Sequence, residues 1–179
     1  MQRPIGMLAT IAALIVLAGL GSSTAAQGSF KFGVFDPQRV SEETAEGKRI
    51  QAKLEQLRDK SQQEIASEEG KIAELQQQLN QQSLSLSPEK RTQMEIDIQK
   101  RLLQLNSRKD TMTRAFQLEI AGEEAQFNEK LRVVVGQFAQ AEGFSVILEV
   151  GAVAFASPSV DVTTAVIDRF NTMFPAVNE

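Results

Sequence analysis

The 179-residue chain contains no cysteine, histidine, tryptophan or tyrosine, and phenylalanine supplies all ten of its aromatic side chains. Without cysteine, disulfides and a thioether-linked lipid anchor are excluded. Without histidine and cysteine, the chain lacks the commonest general base near neutral pH, thiol nucleophiles, and the usual ligands of zinc and copper. It also has no P-loop or Rossmann-type glycine pattern. We therefore predict no enzyme, no catalytic residue, no metal site and no cofactor.

The first 26 residues have the pattern of a secretory signal peptide. Arg3 is followed by an apolar run from Ile11 to Leu20, and then by a segment of small residues. Thr24 and Ala26 fit the two recognition positions of a signal-peptidase site. The apolar run is short for the roughly 20 residues that cross a bilayer, which disfavours the alternative of a retained membrane anchor. We expect cleavage after about Ala26 and a mature protein located in the periplasm.

Residues 41–141 form a long polar segment of high helix propensity, interrupted by a single proline. Its apolar residues recur mostly three, four or seven positions apart, which is typical of a coiled-coil seam. Ser61, Lys109 and Glu123 fall where the seam requires an apolar side chain, so the coil is predicted to be loosely packed. The seam positions are Ile50, Leu54, Leu57, Ile65, Ile72, Leu75 and Leu79 in the first half, and Met94, Ile98, Leu102, Leu105, Met112, Phe116, Ile120, Phe127, Leu131, Val134 and Phe138 in the second.

The stretch near residues 83–88 is predicted to be the tip where this segment turns back on itself. Ser87 and Pro88 are a typical N-cap and first residue of a helix, and Glu89 suits the positive helix end. The preceding helix must then end around Gln82, which leaves a connector of usual length for a helical hairpin. Reflection of the sequence about residue 86 or 87 superimposes the two apolar stripes, as an antiparallel coil requires and a linker between independent domains does not. The reflected pairs are Leu79 with Met94, Leu75 with Ile98, Ile72 with Leu102, Leu57 with Phe116, and Leu54 with Ile120.

Residues 27–40 and 142–179, on either side of the hairpin, are predicted to form one small body. Phe30–Asp36, Phe144–Val150 and Ala152–Ala156 have strand character, and the reflection brings the first of these beside the second. The strand-like runs are apolar on both faces, so we expect a small sheet that is covered by oligomerisation. The candidate interface residues are Val34, Val146, Leu148 and Phe155.

A short final helix is predicted to complete the body. Asp161 can cap a helix that begins with Val162, Thr163 and Thr164 and ends before Pro175. The predicted class is therefore α+β and mostly α: a long antiparallel coiled-coil hairpin on a small β-sheet body with a short C-terminal helix.

These features resemble the Skp/OmpH family of periplasmic chaperones. The resemblance is carried by the signal peptide, by "FGVFDPQRV" with Gly47-Lys48 after it, by the polar hairpin, and most specifically by the closing "AEGFSVILEVGAVAFASPSVDVTTAVI". It implies a homotrimer in which hairpins project like tentacles around a cavity. It also implies ATP-independent binding of unfolded outer-membrane β-barrel proteins and their delivery to the outer-membrane assembly machinery.

The hairpin offers candidates for contact with such clients, because an unfolded barrel strand needs shielding rather than a specific pocket. We assign this role to apolar residues, of which methionine adapts to varied partners. For Leu84 and Leu86 the alternative is packing that closes the hairpin, and for Leu79 that alternative is favoured. Tip charges, from Lys90 and Arg91, either steer clients or only solvate the coil. The candidate client contacts are Leu79, Leu84, Leu86, Met94 and Met112.

The formal net charge of −4 differs from the basic character described for many members of the family. We therefore assign no lipopolysaccharide or membrane binding, and we expect no nucleic-acid partner. The alternative to a chaperone is a structural coiled-coil spacer or adaptor in the cell envelope, which would benefit from a tighter seam than this one.

Overall fold

The computed structural model of the protein describes residues 30–175. The predicted signal peptide, residues 1–26, lies outside this range. The elements are β1 (Phe32–Phe35), α1 (Pro37–Glu43), α2 (Ala45–Gln82), α3 (Pro88–Glu142), β2 (Val146–Glu149) and α4 (Thr163–Met173), with short 3₁₀ turns at Val150–Ala152 and Pro158–Val160. The mostly helical α+β class, with a long hairpin, a small sheet and a short C-terminal helix, is confirmed. Across residues 30–175, no helix has an apolar stretch of the length needed to span a membrane.

Helices α2 and α3 pack as an antiparallel hairpin whose arms are 38 and 55 residues long. At 1.5 Å per residue, α2 alone extends about 57 Å. Ile72, Ile98 and Leu105 are buried between the helices, with partly buried neighbours that include Leu75 and Leu102. These residues belong to the two stripes that the reflection superimposes, so the seam predicted from the sequence is the one that packs.

The tip is closed by local hydrogen bonds at both helix ends. The Gln82 carbonyl, at the end of α2, accepts hydrogen bonds from the backbone N–H groups of Ser85 at 2.9 Å and Leu86 at 3.0 Å. Ser87 caps α3, because its Oγ accepts the Lys90 N–H at 3.3 Å. Pro at the first helical position costs no hydrogen bond, so the sequence sets the start of α3 locally.

The first helix differs from the expectation, because it starts earlier and is interrupted. Asp36 caps α1 through its Oδ1, and Thr44 in an extended conformation separates α1 from α2. Thr44 is fully buried, and its Oγ1 accepts the Gly47 N–H at 3.2 Å to cap α2. A Cβ at Gly47 would lie 1.6 Å from the Ser41 carbonyl oxygen, so this tight corner admits only glycine.

The sheet has two strands, β1 and β2, which pair in parallel with Phe32 opposite Val146 and Phe35 opposite Glu149. The parallel arrangement follows from Gly143, whose φ of 71° ends α3 in the left-handed conformation and turns the chain back into β2. On the other side of β1, Val34 forms a single parallel bridge to Asp161. β1 is therefore the centre of the sheet, and the outer edge of β2 has no neighbour within residues 30–175.

The strand predicted at Ala152–Ala156 is wrong. Residues 150–152 form a 3₁₀ turn, in which the Val153 N–H donates to the Val150 carbonyl at 3.3 Å, and irregular chain follows. Residues 152–156 have the apolar composition of a strand, but no described strand pairs with them. Strand propensity is realised only where a partner strand is available.

The lower end of α3 forms part of the core of the body. This core combines β1, α1 and α4 with one face of α3, and Phe127 stacks on fully buried Phe170 with ring centroids 5.1 Å apart. The sequence predicts Phe127, Leu131 and Val134 in the hairpin seam, whereas the structure packs them in the core of the body. The buried core residues are Phe35, Val40, Phe127, Leu131, Val134, Val166, Ile167 and Phe170.

A polar cluster joins the end of β1 to the start of α4. Thr163 is buried, and its N–H and Oγ1 donate to Asp161 Oδ1 at 2.8 and 2.5 Å. The Thr163 Oγ1 in turn accepts the Asp36 N–H at 3.0 Å. The Asp-Val-Thr segment thus caps α4 from one residue further upstream than an ordinary N-cap, and also fastens α4 to β1.

Candidate functional site: the hairpin surface and its charged base

The hairpin has two buried clusters with a poorly packed section between them. The lower cluster belongs to the body core, and the upper one is centred on Ile72, Ile98 and Leu105. Between Gly47 and Ile72 of α2, and between Leu105 and Glu123 of α3, no residue is buried. The loose seam predicted from the sequence is therefore concentrated in the middle of the arms.

A layer of ionic side chains lies at the base of this loose section. Glu123 on α3 is only 6% exposed and accepts hydrogen bonds from Arg49 Nη2 at 3.0 Å and Lys53 Nζ at 2.6 Å on α2. Lys53 also contacts Glu119, at 2.5 Å. The carboxylate that interrupts the apolar stripe is therefore a buried partner of two cations from the opposite helix.

Glu46, in the first turn of α2, extends the layer toward the body. Its carboxylate contacts Arg49 Nε at 2.8 Å and Lys130 Nζ at 2.5 Å. The hydrogen bond from Arg49, helped by the one from Lys130, lowers the pKa of Glu46 to about 2, although burial opposes the shift. Lys53 and Arg49 similarly lower the pKa of Glu123. Glu46 and Glu123 are therefore ionised at neutral pH, and their ion pairs with Arg49, Lys53 and Lys130 fasten the two helices in one register.

One of the predicted client contacts, Leu79, packs against a buried cluster of the hairpin. Leu79 is partly buried and packs against the upper cluster, and Met94 is also partly buried. Leu86 and Met112 are partly buried as well. Leu84, by contrast, is 100% exposed at the tip. Of the five candidates, only Leu84 presents its whole side chain to a partner, and the role assigned to all five stays a prediction.

Four large exposed apolar residues on α3 are absent from the predicted seam. Ile96, Leu103 and Leu118 are 54%, 70% and 74% exposed, and Val133 is 40% exposed. The signal was present, because these residues do not fit the seam and two of them are seven positions apart. No large apolar residue of α2 is exposed in this way. The two helices of the hairpin therefore differ in the chemistry of their outer faces.

The predicted tip charges lie on the first turn of α3. Lys90 and Arg91 are both exposed. The Arg91 guanidinium donates to the Ser83 carbonyl, so it closes the tip as well as charging it. Lys90 contributes its backbone N–H to the Ser87 cap, and its charged end extends into solvent.

The predicted interface residues divide into one interior and three surface positions. Val34 is buried within the chain itself, on the central strand, so its side chain is already covered. Val146 and Leu148 on β2 are about two-fifths exposed, and Phe155 is 86% exposed. Phe30 and Phe32, at the start of β1, and Val150, directly after β2, are also exposed.

Within residues 30–175, no group of three or more acidic side chains is arranged to hold a metal ion. The grooves along the hairpin are open, and their lining is made of helix surface side chains. The arrangement offers many separate contacts along two arms and no enclosed reaction site.

Comparison with known proteins is consistent with this geometry. The sequence model of a family described as "Outer membrane protein (OmpH-like)" matches residues 31–170. No curated protein matches the chain. Among solved structures, the chain is similar to a candidate outer membrane chaperone (OmpH-like) from Caulobacter crescentus CB15, with a TM-score of 0.78 and 17% sequence identity over 84% of this chain and 89% of that one. At this identity the similarity shows a shared fold.

Proposed function

Because the chain belongs to the OmpH-like family of outer membrane proteins, whose members are periplasmic chaperones and not enzymes, we propose that it is an ATP-independent holdase. It binds unfolded outer-membrane β-barrel proteins and prevents their aggregation during transit to the outer membrane. It then delivers them to the outer-membrane assembly machinery. The signal peptide directs it to the periplasm and is removed after about Ala26.

The observation that carries this proposal is the exposed apolar surface of a long, loosely packed hairpin. Its apolar side chains project from polar helix surface, as Leu84 and Leu103 do, and the groove that Leu103 lines together with Ile96 is open to solvent. Each isolated contact gains little free energy, since burying one apolar side chain is worth about 1.5–3 kcal/mol at most. Many weak contacts of this kind retain an unfolded chain without fixing one conformation of it.

We further propose that the body assembles copies of the chain into a trimer. The outer edge of β2 is free, and exposed strand edges pair readily with other strands. Exposed Val146, Leu148 and Phe155 flank this edge and would be covered by a neighbouring copy. A trimer would place three hairpins around a shared space in which a client is held.

The proposal is tested with fluorescence, because the chain contains no tryptophan or tyrosine and all signal above 290 nm excitation comes from the client. A urea-unfolded, tryptophan-containing outer-membrane barrel protein is diluted into buffer with and without residues 27–179. Light scattering and tryptophan emission are followed together. Suppressed scattering with saturation at one client per trimer is the expected result.

Unchanged aggregation at every protein excess would contradict the holdase and favour the spacer or adaptor. Sedimentation of the Phe155→Asp variant tests the assembly separately. We expect it to be a monomer at micromolar concentration, and a trimer of unchanged stability would contradict the proposed interface.

A further inference from the structure

The outer face of α3 carries an apolar stripe that its packing against α2 does not explain. At about 100° per residue, Ile96, Leu103 and Leu118 fall within roughly 60° of the helix circumference. The buried seam residues Ile98 and Leu105 lie on the opposite side, which agrees with their 5% and 6% exposure. The stripe is therefore a second face of α3, directed away from α2.

This face also carries positive charge. Lys100 lies between Ile96 and Leu103, and Arg114 lies one turn before Leu118. Both side chains are exposed, and neither forms an ion pair with any part of the chain that the structure describes. Asp110 is the one acidic side chain between them on the same face. The surface thus offers apolar contacts interspersed with available cations.

Resting on the proposed holdase function, we propose that the outer face of α3, marked by Ile96, Leu103 and Leu118, is the surface that holds unfolded clients. It fits an extended segment in which apolar and acidic side chains alternate, because apolar contacts and cations alternate along the helix. The outer face of α2 is polar and faces solvent. The α3 side is accordingly the side that the hairpins direct toward a client.

A second copy of the chain fits this face poorly. In an antiparallel pairing of two such faces centred on Ser107, Lys100 would lie opposite Arg114 of the second copy. In a parallel pairing, Lys100 would lie opposite Lys100, and Arg114 opposite Arg114. Like charges in these positions oppose association. The interval between Leu103 and Leu118 also holds polar residues such as Ser107 and Thr111, whereas a coiled-coil seam needs an apolar residue every three or four positions. A flexible client can bridge such gaps.

The test compares three forms of residues 27–179: wild type, the triple variant Ile96→Gln, Leu103→Gln, Leu118→Gln, and a control on α2. The control replaces three exposed glutamines of its outer face (Gln63→Ser, Gln77→Ser, Gln81→Ser). Affinity for the urea-unfolded barrel protein is measured by its tryptophan emission. We expect the α3 variant to bind about 30-fold more weakly, and the control to bind like wild type.

A second measurement does not depend on how well the variant folds. A photoreactive residue is placed at Leu103 or at Gln77 of otherwise wild-type protein, and client is added. We expect cross-links to client from position 103 and few from position 77.

In the Lys100→Gln, Arg114→Gln variant, binding should be weaker at low salt and less dependent on salt than in wild type.

The outcomes separate the two proposals. If wild type holds the client and the α3 variant holds it equally well, or if both positions cross-link equally, the α3 face is not the client surface and the holdase stands. If the α3 variant changes sedimentation but not client binding, the face joins copies of the chain and the inference is overturned. If wild type binds no client, both proposals fall.

Discussion

The ionic layer at the hairpin base makes a quantitative prediction for Glu46→Gln. The substitution preserves the size of the side chain and removes the charge that contacts Arg49 and Lys130. Because the pKa of Glu46 is about 2 in the folded protein against an ordinary value of 4.5, its ionised form stabilises the fold. That stabilisation is complete above about pH 5 and is lost as the pH falls from 4.5 toward 2.

The magnitude follows from the same shift. A pKa lowered from 4.5 to about 2 corresponds to about 3 kcal/mol if none of it is screened. The side chains of Arg49 and Lys130 are 41% and 32% exposed, so solvent weakens the interaction, and we expect about 2 kcal/mol at pH 7. About 1 kcal/mol should remain at pH 3. For a chain of this size, 2 kcal/mol corresponds to roughly 4–8 °C in Tm.

The assay is thermal unfolding by far-UV circular dichroism at fixed protein concentration, for wild type and Glu46→Gln between pH 7 and pH 2.5. Glu129→Gln is the matched control, because Glu129 and Arg132 form an exposed pair on one helix turn that should contribute less than about 0.5 kcal/mol. The reasoning is refuted if Glu46→Gln unfolds with wild type at pH 7. It is also refuted if the difference between them is the same at pH 2.5 as at pH 7.

Five further substitutions, at four positions, test other parts of the fold, each by the change in unfolding free energy. Gly47→Ala should destabilise by about 1–3 kcal/mol, because its Cβ meets the Ser41 carbonyl and forces the backbone to shift. Gly122→Ala, whose Cβ would have nothing within 4 Å, should stabilise by about 0.5–1 kcal/mol. Equal effects would contradict the packing of the α1–α2 corner. Phe170→Ala should cost about 3–5 kcal/mol, and a loss under 1 kcal/mol would mean that the body core is not built around this ring. The unfolding free energy of Glu123→Leu should be within about 1 kcal/mol of wild type, because an apolar side chain suits the seam. Glu123→Ala should lower the unfolding free energy by about 2 kcal/mol. The reverse order would contradict our account of the ionic layer.

The hairpin could be predicted because its determinants are local or periodic. Ser87 and Pro88 set the start of α3 through their own backbone preferences, and the seven-residue spacing selects the face that is buried. The reflection of one stripe on the other then defines the pairing of the helices. Each of these steps needs only the sequence within one element and its mirror position.

Other features depended on partners that are distant in sequence. Glu123 is a defect in the seam when only apolar residues are compared. Reflection about residue 86 places Arg49 opposite Glu123 and Lys53 opposite Glu119, so a comparison that includes charged residues predicts the ionic layer. Residues 152–156 have strand composition, but whether they join a sheet depends on a neighbour. The outer stripe on α3 is hard to recognise in the sequence, because its residues are seven and fifteen positions apart and lie among polar residues.

The absence of buried residues in the middle of the arms has a mechanical consequence. A two-helix hairpin resists bending mainly through side chains packed between its helices. Here these side chains are confined to the base and to the section near the tip. Gly122, which has no packing role, adds further compliance beside the ionic layer. The hairpin can therefore bend in its middle while its two ends stay folded. In the proposed trimer, the gap between hairpins would then adapt to the bulk of a bound client, so that one assembly would serve clients of different size.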